Sequence, residues 1–400
     1  MSDLLTTLFN DFDRGRLSRR RLLQALGLAA AARPVSALAF GQGQCADRGR
    51  AGAAGCDTTP AKFPFEPTGW KTVLLDHFTI HVADYQKEAA YYDALMNWHV
   101  RSDDGSKAVL DIGDWGGLVL VGGYQPPPPA PRPAPRADAS GNAAATGAGA
   151  AGGATGAGGG AAGGGRGGGG GRGNRPPNNS LVSGFCWGIE PWDQKKVEAE
   201  LRKRGLEPVA DNDDKNHFQS FHVKDPDGFD LQISNGNSKN RRQGKATAKL
   251  KVPAPFEATS WKTIWLDHIS FQVMDYKESV AFYTALLGWT GTSDEGSQNQ
   301  CQIGDVGDVI IRGRQLAQAA AAGNPAPPRK ASIDHIAFGI TPFDPDAVKA
   351  ELDKRGLQNS VDTGNRGDIH TASYKSYHTT TPNGFTLQIS DTTKATREPK

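Results

Sequence analysis

The chain has 400 residues, room for two domains or three at roughly 100–200 residues each. Its formal charge of +2 gives no electrostatic reason to expect a nucleic-acid partner. Only 37% of residues are hydrophobic, but 50 glycines and 25 prolines cluster in a few tracts, so the remainder has an ordinary globular composition.

Residues 1–39 contain Ser18-Arg19-Arg20-Arg21-Leu22-Leu23, an apolar run from Leu22 to Ala32, and Ala37-Leu38-Ala39. The run is shorter than the about 20 apolar residues that cross a bilayer, so no stable membrane anchor is expected. A basic start, a modest apolar stretch and an A-x-A site predict a removable export signal. The basic hexapeptide resembles the twin-arginine signal S-R-R-x-F-L, with leucine at the phenylalanine position. That resemblance implies the twin-arginine export machinery as a partner and a periplasmic or extracellular destination in a bacterium. Residues 40–69 read as a Gly/Ala/Pro-rich leader. It holds Cys45 and Cys56, whereas Cys186 and Cys301 fall in predicted strands. The absence of any CxxC pair excludes zinc-ribbon and thioredoxin sites.

From Leu74 the chain reads LLDHFTIHVADYQKEAAYYDALMNW, and from Trp265 it reads WLDHISFQVMDYKESVAFYTALLGW. The offset is constant, 268 − 77 = 191 for the histidines and 289 − 98 = 191 for the tryptophans, so the chain is internally duplicated. Phe78, Ile80 and Val82 alternate with His77, Thr79 and His81, which predicts a strand with one apolar and one polar face. Asp84 is the expected N-cap of a helix carrying Tyr85, Ala89, Tyr92 and Leu95 at helical spacing. VLDIGD and GLVLVGG read as further strands.

Another such module starts near Val182, with GFCWGIEPWD as strand and QKKVEAELRKRGLEPV as a helix ending at Gly205. FQSFHVKDPDGFDLQISN reads as a hairpin turning at DPDG. IDHIAFGITPFD, PDAVKAELDKRGLQNSV and SYKSYHTTTPNGFTLQIS repeat the pattern. The prediction is an α+β chain of four βαβββ modules paired as two lobes, 70–235 and 261–391, with a tail at 392–400. The Pro/Gly-rich stretch 125–179 cannot build a core and reads as a flexible insert. Residues 236–260, which include SKNRRQGKATAKLK, read as a basic linker that is merely solvated.

The polar faces carry the chemical information. In the second lobe they place His268, His335, His378 and Gln388 on one side of the predicted sheet. In the first they place His77, His222 and Gln232 there, with Gly184 at the position of His335.

Paired strand-helix-strand modules, the Asp-His dipeptides, IDHIAFGI, and the endings DPDGFDLQIS and TPNGFTLQIS are similar to the vicinal oxygen chelate superfamily. That group includes glyoxalase I, extradiol dioxygenases and bleomycin-resistance proteins. The resemblance implies two glyoxalase-like lobes with cupped mixed sheets. It also implies one divalent ion (Fe, Mn, Ni or Zn) held by His268, His335 and Gln388. His378, on the same face, is the candidate catalytic residue, as a proton shuttle or oxyanion donor, or else a fourth ligand. Glutamine stands where the dioxygenases have glutamate, a substitution glyoxalase I tolerates. In the first lobe the resemblance leaves His77 and Gln232, supplemented by His222, as a weaker set in a degenerate copy. The implied function is a metal-dependent lyase, isomerase or dioxygenase-like enzyme on a small oxygenated substrate. The alternative is a metal-free protein that sequesters a small molecule. Because each lobe already pairs two modules, a monomer or weak homodimer is expected.

Overall fold

The alternation that begins at Asp76 is realised in β1 (Lys71–Val82), where Phe78, Ile80 and Val82 are buried and His77, Thr79 and His81 are half-buried. This computed structural model describes residues 60–113, 116–127, 178–237, 242–314, 331–364 and 366–397. The predicted export signal, Cys45, Cys56 and most of the insert lie outside the described residues.

Asp84 ends β1 and caps α1 (Tyr85–Met96), its carboxylate accepting from the Lys87 amide at 3.1 Å. Asn97 closes the helix in the left-handed region at φ 54°, and β2 (Val100–Asp103), β3 (Lys107–Ile112) and β4 (Gly116–Val121) follow. The second module runs β5 (Ser180–Glu190), α2 (Gln194–Lys203), β6 (Val209–Ala210), β7 (Ser220–Lys224) and β8 (Asp230–Ser234). β1 and β5 pair antiparallel at the centre, and each pairs in parallel with the last long strand of its own module. The sheet order is therefore β2-β3-β4-β1-β5-β8-β7-β6.

The second lobe repeats this with β9 (Lys262–Asp275), α3 (Tyr276–Leu287), β10 (Thr290–Asp294), β11 (Gln298–Ile303) and β12 (Gly307–Arg314). Its other module is β13 (Ser332–Thr341), α4 (Pro345–Lys354), β14 (Asn359–Asp362), β15 (Ser376–Thr380) and β16 (Thr386–Ser390). The order β10-β11-β12-β9-β13-β16-β15-β14 matches the first sheet strand for strand. The fold is α+β, four βαβββ modules forming two mixed sheets.

The two sheets turn their apolar faces to each other and share one core. Phe338 of β13 lies 4.8 Å from Trp98 and 6.2 Å from Phe78, ring centre to ring centre. Phe185 meets Phe271 at 5.4 Å, and Trp187 meets Trp289 at 5.3 Å. Polar contacts cross reciprocally. Trp98 Nε1 donates to Thr263 Oγ1 (2.8 Å), and Trp289 Nε1 donates to Thr72 Oγ1 (3.1 Å). Thr68 and Thr259, ahead of the first strand of each lobe, donate to the final carbonyls of the other lobe's helix. The segment around Thr68, read from sequence as leader, is thus docked on α3.

The hairpin turns also cross. Asp225 accepts from Tyr283 Oη and Asp227 from Ser279 Oγ, both at 2.7 Å, while Asn383 Nδ2 donates to buried Glu88 at 2.8 Å. DPDG and TPNG therefore bind the opposite helix as well as turning the chain. The basic linker also departs from expectation, because from Arg242 it runs along the first sheet, and the Ala248 amide donates to Val100 O at 3.1 Å.

Candidate metal centre

The cup of the second lobe is assembled by two β-bulges. β9 and β13 pair out of step on either side of Asp267 and again at Asp334, so each aspartate is an extra residue in its strand. A bulge re-aims its side chain. Each carboxylate thereby reaches Nδ1 of the histidine that follows it, at 3.1 Å for Asp267–His268 and 2.8 Å for Asp334–His335. A carboxylate on Nδ1 keeps the proton there and leaves the lone pair on Nε2. The two Nε2 atoms face each other at 3.0 Å. Two lone pairs that close repel unless a cation or proton is shared between them.

Gln388 of β16 supplies the third donor. Its amide nitrogen is committed outward, to Ser376 Oγ (2.7 Å), Tyr374 Oη (2.8 Å) and Asp362 Oδ2 (3.4 Å). The carbonyl oxygen Oε1 is buried and, among the described residues, has no hydrogen-bond partner. A buried acceptor left so costs about 1–3 kcal/mol, which a bound cation would recover.

Burial pushes His335 down to about 4, helped by His268 and His378 and opposed by Asp334, so this imidazole is neutral near pH 7 and in its ligand form. His378 of β15 stands edge-on to His335 with ring centres 5.0 Å apart, its Nε2 3.1 Å from Asp362 Oδ2. The His378 hydrogen bond holds the Asp362 carboxyl down at about 2. Whereas His268, His335 and Gln388 are buried, His378 keeps partial exposure at the edge of the cup.

Sequence reasoning missed the supporting ring. Asp267 is fully buried and accepts from Tyr374 Oη and Thr392 Oγ1, each at 3.0 Å. With Asp334 and Asp362, whose carboxyls are held below the ordinary range by their hydrogen bonds to His335 and His378, it rings the donors one hydrogen bond further out. The charge that Gln388 lacks as a ligand is therefore present in its surroundings. The available signal was the aspartate written before each of these histidines.

The first lobe does not assemble the same set. His77 is held by Asp76 at 2.7 Å, also across a bulge, and Gln232 donates to Ser220 Oγ at 2.8 Å much as Gln388 does to Ser376. At Gly184, however, a Cβ would stand 2.3 Å from the Asp230 carbonyl oxygen and 2.9 Å from Asp230 Cβ, so no side chain fits where His335 would be. His222 has both ring nitrogens engaged, by Asp230 (2.8 Å) and Asp211 (3.3 Å), and these carboxylates raise its pKa. With both ring nitrogens facing carboxylates, His222 does not present a nitrogen to a shared site in this arrangement. In the second lobe Thr386 replaces Asp230, which leaves His378 with a single carboxylate.

Residues 265–389 match the family model of the Glyoxalase/Bleomycin resistance protein/Dioxygenase superfamily. Among solved structures the chain is similar to the Mn(II)-bound glyoxalase from Novosphingobium aromaticivorans, at 13% identity over 80% of this chain and 82% of that one, TM-score 0.47. It is also similar to homoprotocatechuate 2,3-dioxygenase from Arthrobacter globiformis, at 15% identity over 84% and 82%, TM-score 0.46. A 2,3-dioxygenase from Pseudomonas sp. KL28 aligns at 11% identity over 80% and 92%, TM-score 0.46. No curated protein matched significantly by sequence. The second lobe, which holds His268, His335 and Gln388, is thus the part of the chain that carries the sequence pattern of the glyoxalase, bleomycin-resistance and dioxygenase superfamily.

Proposed function

We propose that the second lobe binds one divalent metal ion through His268, His335 and Gln388 and acts on a small oxygenated substrate. The observation that carries this reading is the approach of the two Nε2 atoms to 3.0 Å, together with the buried Oε1 of Gln388 on the strand next to His335, which has no hydrogen-bond partner among the described residues. Two imidazoles and an amide oxygen suit Mn, Fe, Ni or Zn. When bound, such an ion serves as a Lewis acid that polarises a substrate oxygen and stabilises an adjacent anion. Three neutral donors leave that acidity undiminished by direct charge, which favours lyase or isomerase chemistry over dioxygenase chemistry.

The chain's own groups divide the remaining work. Asp267 and Asp334 hold the two imidazoles in one tautomer and one orientation. Tyr374 and Ser376 accept from the Gln388 amide nitrogen and so leave its oxygen as the ligand atom. His378, partly exposed and held by Asp362, is positioned to take a proton from the substrate or return it.

The experiment is metal analysis of the folded chain after reconstitution with each of the four ions, followed by assays on 2-oxoaldehyde–thiol adducts and catechols. One tightly bound ion per chain, held in the second lobe and lost from it in His335→Ala, is expected. A chain that takes up none of the four would overturn the metal reading and leave small-molecule sequestration.

Export belongs to the same proposal and rests on Arg19-Arg20 and Ala37-Leu38-Ala39. Changing both arginines to lysine should keep the precursor in the cytoplasm. Continued export through the general secretory route would defeat the twin-arginine assignment.

A further inference from the structure

The first cup holds metal-type donors in a different arrangement. Asp76, His77 and Cys186 bring a carboxylate oxygen, an imidazole nitrogen and a sulfur within 4.8 Å of one another. The Asp76 side chain is fully buried, and a buried carboxylate needs positive charge beside it. Arg242, from the interlobe linker, supplies that charge. Its Nη2 donates to the Asp76 carbonyl oxygen and lies 3.4 Å from Asp76 Oδ1, and its Nε lies 3.7 Å from Asp111 Oδ1.

The guanidinium lies over Gly117, where a Cβ would meet Nη2 at 2.5 Å, so glycine leaves it the space. Arg101 secures the strap from the other side. Its Nε bonds both Asp111 oxygens, at 2.8 and 3.0 Å, while its terminal nitrogens donate to the carbonyls of Gln243 (3.1 Å) and Gly244 (3.0 Å). The duplication supplies an independent observation. At an offset of 191 the counterparts of Arg101, Asp111 and Gly117 are Thr292, Gln302 and Asp308. The residues that hold the strap are confined to the lobe that carries it, so the strap is a feature of this cup and not of the duplicated module.

We propose that the first cup is a second cation site, of the thiolate–imidazole–carboxylate kind that takes zinc or cobalt, with Arg242 as its resident cation. A soft divalent ion and the linker strap compete for it. When the ion enters, the Cys186 thiol releases its proton to solvent, the sulfur becomes a ligand, and the guanidinium leaves Asp76.

The test is Co(II) titration of the full chain carrying His335→Ala, read by the near-ultraviolet sulfur-to-cobalt charge-transfer band and by chelator competition. That background removes a donor of the other cup, so the outcome does not depend on whether the second lobe binds metal. Adding Arg242→Gln should tighten binding at least about tenfold and give one cobalt with the sulfur band. Further Cys186→Ser should abolish the band. Gly117→Ala displaces the guanidinium by a separate route and should give the same gain, which covers the case in which Arg242→Gln does not fold. Unchanged affinity in the strap-displaced chain, or a band that survives Cys186→Ser, would overturn the proposal.

Discussion

His268 and His335 come from the first strands of different modules, yet their Nε2 atoms meet at 3.0 Å, each with Nδ1 held by the aspartate that precedes it. Removing either ring removes a donor that the rest of the cup cannot replace. His335→Ala should therefore abolish metal binding in the second lobe while circular dichroism stays unchanged. His77→Ala, in the other cup, should leave that ion in place. Loss of the ion on His77→Ala alone would contradict the inequality of the two lobes.

The orientation of Gln388 depends on what its amide nitrogen donates to. Tyr374→Phe removes one of those acceptors and a donor to Asp267, and should weaken metal affinity by about 10–100-fold, the usual cost of losing a group that orients a ligand. Gln388→Glu should do the opposite with metal present. Without metal the new carboxylate would face Asp362, whose Oδ2 lies 3.4 Å from the present amide nitrogen, and the thermal midpoint should fall. Calorimetric titration and melting curves with and without metal separate the two effects.

The buried Asp225 that accepts from Tyr283 makes the contact between lobes sensitive to pH. Burial raises its pKa from an ordinary 3.8 to about 6, against the pull of its hydrogen bonds. Between those values the folded chain keeps a proton that the unfolded chain releases. The group's contribution to stability is thus fully present below about pH 4 and lost as pH rises through about 6. Asp225→Asn should flatten that part of the stability profile, measured as the difference in melting midpoint between the two chains from pH 4 to 7.

Because the two sheets share one core, the lobes should unfold together. Phe338→Ala removes a ring packed on Trp98 and Phe78 of the other lobe, and should cost about 3–5 kcal/mol. A single calorimetric transition, lower in the variant, is the expected trace. Two transitions, with only the second-lobe one displaced, would show that the lobes are independent.

Deleting residues 139–172, which lie outside the described residues, should change stability by less than about 1 kcal/mol, since the entropy of closing a loop depends only weakly on its length. A collapse of the melting transition on this deletion would contradict the reading of the tract as a flexible insert.

Much of the fold was legible because period and capping are local. Phe78, Ile80 and Val82 are buried as their alternation requires, and Asp84, Asp193, Asp275 and Asp344 each cap the helix that follows. The duplication transferred strand phase from one copy to the other, which put His268, His335 and Gln388 on one face. Phe185 and Trp187 lie in a stretch read as a strand, but the residues they pack on, Phe271 and Trp289, belong to the other lobe. One apolar face looks like any other in a sequence.

Strand phase, helix ends, the duplicated modules and the loss of a histidine at Gly184 follow from the amino acids alone, because each depends on neighbours a few residues away or on the 191-residue offset. Tertiary structure decided the rest. Asp267 and Asp334 orient the histidines only because β9 and β13 pair out of step, and Tyr374 reaches Asp267 across 107 residues of chain. Arg242 enters the first cup only because Gly117, on a distant strand, leaves room for it. Bulges, second contacts and straps form between strands brought together by folding, where what matters is the space and charge that one segment leaves for another, and no local pattern in either segment records that.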